Sequence, residues 1–165
     1  MKNLFNITAI AYFALSALMF LSSCNNNQDG DNSIENIGYI NSKTGEYEKI
    51  NEKQLRCFYI NTLEVNDDVY FSNRIVEIKD STENYYIINS ISKDGSISIG
   101  AKLSVYEKSK GLFAMTGETC KCESNDCLWS GCEVTRMCAC SACSGDCKKT
   151  HTLKSELVPS MFVKQ

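Results

Sequence analysis

Between Cys120 and Cys147 the chain carries eight cysteines in 28 residues: Cys120, Cys122, Cys127, Cys132, Cys138, Cys140, Cys143 and Cys147. A segment this short cannot bury enough apolar surface to hold itself together, so its fold depends on what the thiols do. Two chemistries suit an even number of thiols at this density. They can pair into four disulfide bridges, in a connectivity that spacing does not reveal. Alternatively, they can divide four and four around tetrahedral zinc ions held by thiolates. The choice depends on the redox state of the compartment the chain occupies.

The N-terminus bears on that compartment. Lys2 precedes an apolar stretch from Ile7 to Leu21, interrupted by Thr8 and Ser16, and Leu21-Ser22-Ser23-Cys24 closes it. A positive start, a short apolar run and small residues at its end have the architecture of an export signal, and the run is too short for a membrane span. The closing four residues resemble the lipobox of bacterial lipoproteins. That resemblance implies loss of residues 1–23, a diacylglyceryl thioether on Cys24 and acylation of the new amino group. Two or more acyl chains, at about 0.8 kcal/mol per buried methylene, hold a protein on a membrane where one chain does so marginally. Residues 24–35 then act as a tether, because Asn25-Asn26-Asn27-Gln28-Asp29-Gly30-Asp31-Asn32 lacks any large apolar side chain. Twelve such residues form a flexible coil with ends roughly 20 Å apart. Asn25 does not resemble the aspartate that retains some lipoproteins in the inner membrane, which implies the outer membrane. Asparagine-rich tether and cysteine-rich tail together resemble small cysteine-rich lipoproteins of the Bacteroidota, a resemblance that carries no activity.

Export favours disulfides, because thiols in an oxidising compartment tend to be oxidised before they meet zinc. The tail also contains Leu128, Trp129, Val134 and Met137, which suit a packed knot. The alternative stays open, since Cys120-Lys121-Cys122 and Cys138-Ala139-Cys140 resemble the Cys-x-Cys pairs of metallothioneins, which implies the same eight cysteines as ligands and zinc as the cofactor. Cys140-Ser141-Ala142-Cys143 has the spacing of a redox motif without the βαβ context such motifs require. Ferredoxin spacing is absent.

Residues 36–116 are rich in Ile, Tyr, Val and Phe, and the composition shifts near Thr116. This division gives a signal at 1–23, a tether at 24–35, an α+β domain at 36–116, a cysteine-rich knot at 117–150 and a C-terminal tail at 151–165. The domain opens with a hairpin, in which Ile37, Tyr39 and Ile40 precede the turn residues Asn41-Ser42-Lys43-Thr44-Gly45 and then Tyr47 and Ile50. A helix is expected from Glu52 to Leu63, with Asn51 as N-cap, Gln54 completing a capping box and Ile50 stapling onto Leu55. Leu55, Phe58, Tyr59 and Leu63 line its buried face, and Cys57 points away, reachable by solvent or by the tail.

Three strands follow over residues 69–78, 84–91 and 96–106, separated by turn sequences at 80–83 and 92–95, and a further strand fits 112–115. In the third, Ile97, Ile99, Ala101, Leu103 and Val105 alternate with Ser98, Gly100, Lys102 and Ser104, as in a half-buried strand with a solvated outer face. Its neighbour Tyr85-Tyr86-Ile87-Ile88 is apolar on both faces, so the cysteine-rich segment is expected to cover the second. Apolar cross-strand pairing favours a loop with left-handed Gly95 that sets Ile91 opposite Ile97, Ile87 opposite Ala101 and Tyr85 opposite Leu103. The fold class is α+β, one helix packed on a small antiparallel sheet with a cysteine-rich C-terminal knot.

The chain has 17 basic and 20 acidic side chains, a net charge of −3. Since Lys2 is the one charge in residues 1–23, the mature chain sits near −4. Such a balance supplies no basic stripe for phosphate backbones, so nucleic acid is not an expected partner. The single histidine, His151, reads as a solvated loop residue, and no metallohydrolase, nucleophile-elbow, P-loop or dinucleotide-binding pattern is present. The acidic pairs Glu46/Glu48 and Asp67/Asp68 fit exposed strand edges and turns. The resulting expectation is a non-catalytic, lipid-anchored protein that binds an envelope protein or glycan, or acts structurally. Trp129, on a short loop between Cys127 and Cys132, is the candidate binding residue, unless it covers Tyr86 and Ile88.

Overall fold

The computed structural model describes residues 34–81, 83–127 and 132–164. Its architecture is α+β: strands β1 (Ile37–Ile40), β2 (Tyr47–Lys49), helix α1 (Glu52–Leu63), then β3 (Phe71–Lys79), β4 (Asn84–Ser92), β5 (Ile97–Glu107) and β6 (Leu112–Glu123). Short strands β7 (Val134–Arg136) and β8 (Ala139–Cys140), strand β9 (Lys148–Leu153) and a 3-10 turn at Pro159–Phe162 complete it. The sheet order is β2-β1-β6-β5-β4-β3, with β9 also paired to β6. The sheet is mixed, because β1 runs parallel to β6 while the other pairs are antiparallel.

α1 starts where its local chemistry sets it. Asn51 Oδ1 accepts from Gln54 N at 2.9 Å and Gln54 Oε1 accepts from Asn51 N at 3.0 Å, a reciprocal capping box. Leu55, Phe58, Tyr59 and Leu63 are buried in one apolar cluster with Ile37, Tyr39, Ile88, Ile99, Ala101, Leu103 and Met115. The C-terminal segment joins this core: Phe162 stacks on Tyr39 and on Phe58 with ring centroids 4.1 and 5.1 Å apart. Cys57, expected to point away from the core and to be reachable, is instead 2% exposed. Asn61, one turn further along α1, donates to the carbonyls of Met161 and Val163, so the chain end covers the side of the helix that seemed open.

The hairpin register also differs from expectation. Gly95 is left-handed, at φ +74°, but Ser90 lies opposite Ile99, Ile88 opposite Ala101 and Tyr86 opposite Leu103. Two things outweigh the apolar-pair argument. Ser90 is satisfied on the core face, where its hydroxyl meets Tyr59 Oη at 2.9 Å and donates to Asn73 Oδ1 at 2.7 Å. The loop closes on itself, with Ile97 N donating to Ser92 Oγ and Asp94 Oδ1 accepting from Ser92 and Ser96.

β6 runs through the compositional shift near Thr116 and carries Cys120 and Cys122 into the sheet. At Gly117, φ +83°, the strand changes partner from β1 to β9, and Lys154 N donates to the Gly117 carbonyl at 3.0 Å. A Cβ there would lie 2.1 Å from the Lys154 carbonyl oxygen, so glycine is required on space as well as on φ.

Candidate functional site

The face of the sheet opposite α1 is covered by the cysteine-rich segment. Tyr85 and Ile87 of β4 are buried with Cys122, Cys127, Cys132 and Val134 in a second apolar cluster. Polar bonds fix the cover to the strands: Val134 N donates to Ser98 Oγ at 3.0 Å and Met137 N donates to Tyr85 Oη at 3.0 Å. Ser98, 1% exposed, and Gly100, whose missing Cβ would meet Val134 Cγ1 at 2.7 Å, therefore lie beneath the knot. The expected solvated outer face of β5 is limited to its far end, where Ser104 is exposed and Lys102 half-buried.

Three disulfides join described cysteines: Cys122–Cys140, Cys127–Cys143 and Cys132–Cys147, with Cα separations of 5.9, 5.9 and 5.4 Å. The three earlier cysteines pair with the three later ones in the same order, so the closed loops all overlap and none opens alone. β7 and β8 form a hairpin inside this weave, and Ser141 bonds to Cys132 and Glu133 across it.

Cys120 and Cys138 are free thiols. Cys120 lies buried on β6, and Cys138, half-buried, occupies the β7–β8 turn in the left-handed region at φ +52°. The Cys122–Cys140 bridge, two residues along the chain from each thiol, sets the Cys138 turn beside Cys120 on β6. Burial pushes the Cys120 thiol up. Burial first, then Cys120 and Glu118, push Cys138 up to about 12, with Lys149 opposing. Lys149 Nζ donates to the Cys138 carbonyl at 3.3 Å. Around this turn lies an open depression lined in part by Cys138, Ala139, Ser141, Gly145 and Lys149. Six of the eight cysteines singled out by the sequence are thus bridged, and the remaining two are left as free thiols.

Cys24 and Trp129 lie outside the described residues. His151 is in β9 and not in a loop; it is exposed and its Nε2 lies 3.2 Å from Glu118 Oε1. Glu48 is more than an edge carboxylate, since it accepts from Tyr39 Oη and Asn41 Nδ2, each at 2.5 Å. The Tyr39 bond, ahead of that from Asn41, holds the Glu48 carboxyl below its usual range. These contacts tie β1 to β2. The Cys120/Cys138 pair was not legible from spacing, although the identical offset of Cys-x-Cys 120–122 and Cys-x-Cys 138–140 about the Cys122–Cys140 bridge is the signal that locates it.

Compared with known protein families, curated proteins and solved structures, the chain matches none.

Proposed function

We propose that this protein is a lipid-anchored component of the bacterial cell envelope, attached through Cys24 and acting by binding or structural contact, with no catalytic role. The observation that supports this reading best is the weave of three overlapping disulfides over the sheet, a device suited to an exported chain. The lipobox-like Leu21-Ser22-Ser23-Cys24 supplies the anchor and residues 24–35 the tether. A folded unit hung from a membrane by a flexible coil is suited to holding an envelope protein or glycan near that surface.

Fractionation tests the anchor. The wild-type chain is expected in the outer-membrane fraction, and Cys24→Ser is expected to be soluble or uncleaved; a fully soluble wild type overturns the proposal. Chelation tests the zinc alternative. Knot loosening by a chelator, with no response to a thiol reductant, would replace bridges with thiolate-metal binding.

A further inference from the structure

The Cys120/Cys138 pair is the one described group of nucleophilic side chains that the weave leaves unused. The geometry points to a thiol–disulfide exchange site, in which Cys138 meets an external disulfide and Cys120 resolves it, closing a fourth bridge between the β7–β8 turn and β6. Three observations carry this. The Cys122–Cys140 bridge, two residues along the chain from each thiol, and the bond from Lys149 of β9 to the Cys138 carbonyl set the Cys138 turn beside Cys120 on β6. Their exposure is unequal: Cys138 is half-buried and lines the open depression while Cys120 is buried, so an external disulfide meets Cys138 first. The turn that presents Cys138 adopts a left-handed backbone that a non-glycine residue rarely takes, and the neighbouring Cys122–Cys140 bridge holds it there.

The exchange balances without any further reagent. The Cys138 thiolate attacks one sulfur of a small disulfide, R–S–S–R, forming a mixed disulfide and releasing RS⁻. The Cys120 thiolate then attacks the Cys138 sulfur, forming the Cys120–Cys138 bond and expelling the second RS⁻. The two protons lost by the cysteines end on the two leaving thiols, so one protein dithiol is oxidised and one external disulfide reduced. Burial and Glu118 hold both thiols largely protonated at neutral pH, opposed by Lys149 on β9, while His151, opposite Cys120 on β9, is turned to Glu118. Exchange is accordingly slow at neutral pH, which lets the dithiol persist beside three formed bridges.

The sequence itself supplies the assay. Lys110 and Lys121 bracket residues 111–121, whose one cysteine is Cys120, so trypsin separates Cys120 from the knot. The full-length protein is treated with oxidised glutathione, denatured without reductant in the presence of the alkylating agent, digested and analysed by mass spectrometry. Before oxidation, peptide 111–121 should be released carrying the alkyl label. After oxidation its release should be lost and the peptide found joined to the knot fragment. The rate should rise about tenfold per pH unit between about pH 7.5 and 9.5, following the thiolate fraction. Cys120→Ser should trap glutathione on Cys138, and Cys138→Ser should leave peptide 111–121 released; near-UV circular dichroism checks that each variant is folded. The inference is overturned if peptide 111–121 is still released from the oxidised wild type, if glutathione stays on Cys138 while Cys120 is present, or if linkage survives Cys138→Ser. Fractionation of the Cys24→Ser variant does not bear on these readouts, so the anchor and the exchange site fail separately.

Discussion

On one face of the sheet, Ile88 and Ile99 pack with Leu55, Phe58 and Tyr59 of a capped helix; on the other, Ile87 packs with Cys122 at the end of β6 and with Cys127 and Val134 of a segment whose described residues between β6 and β9 hold the short strands β7 and β8 as regular structure. α1 satisfies most of its backbone hydrogen bonds internally, so apolar contact is enough to hold it. The knot lacks that regularity, and ordering a backbone costs on the order of 1–2 kcal/mol per residue, more than its small apolar cluster returns. Overlapping bridges remove much of that cost from the unfolded chain. A sheet with a strand that is apolar on both sides can therefore be covered by one layer that folds through packing and another that folds through covalent constraint.

The sharpest way to break the comparison is to damage the packed face. Phe58 is fully buried and stacks on Phe162, so Phe58→Ala is expected to destabilise the whole protein by about 3–5 kcal/mol, read as a shift in denaturant midpoint. Reduction of the three bridges comes next. A loop of about 15 residues is worth roughly 3 kcal/mol by chain entropy, and the losses should stay local because α1 and its cluster do not depend on the knot. Hydrogen exchange after reduction should rise across residues 124–147 and stay low in α1. Loss of protection in α1 at the same rate would show that the two faces fold as one unit.

The sequence disclosed the packed face far better than the bridged one, for a physical reason. α1 was legible from Asn51 to Leu63 because its cap, its capping box and its apolar stripe are all local. The β4–β5 register was not, because β4 is apolar on both faces and a one-residue slip exchanges one apolar row for another; Tyr59 and Asn73, which decide where Ser90 goes, are remote in sequence. The cover over the Asn61 side of α1 escaped notice because the turn at Pro159–Phe162 lies about a hundred residues away, although Leu157, Val158, Met161 and Phe162 form an apolar group that could have flagged it. The presence of bridges was readable from cysteine density. Their order, and the two thiols left over, depend on how β6 carries Cys120 and Cys122 side by side into the sheet.

A smaller perturbation tests the seam between the layers. Gly100→Ala would bring a Cβ to 2.7 Å from Val134 Cγ1 and 3.7 Å from Ile87 Cδ1, an overpacking worth about 1–3 kcal/mol in the oxidised protein. With the bridges reduced, the knot can lift away from β5, so the cost should shrink. A double cycle of Gly100→Ala against reduction, followed by denaturant unfolding, should show positive coupling. An equal cost in both redox states would mean that Val134 is held by the sheet and not by the bridges.

The smallest expected effect concerns pH and the loop that sets which residues face which layer. Asp94 Oδ1 accepts from Ser92 Oγ at 2.7 Å, Ser96 N at 3.0 Å and Ser96 Oγ at 2.8 Å, and these bonds, that from Ser92 foremost, hold its carboxyl below the ordinary 3.8. A carboxyl with a lower pKa folded than unfolded adds stability that is fully present above the unfolded value and is lost as pH falls through the folded one. The group is exposed, so solvent screens the contribution and packing on the two faces should still hold the register. Acidification from about pH 6 to below the folded pKa should therefore lower the protection factors of the Ser96 and Ile97 amides, taken relative to intrinsic exchange at each pH, while Ile87 and Ile88 stay protected, and Asp94→Asn should abolish the pH dependence. If Ile87 and Ile88 lose protection together with the loop, the carboxylate, more than either layer, fixes the register, and the division of labour between packing and bridges would have to be assigned to the turn that aligns them.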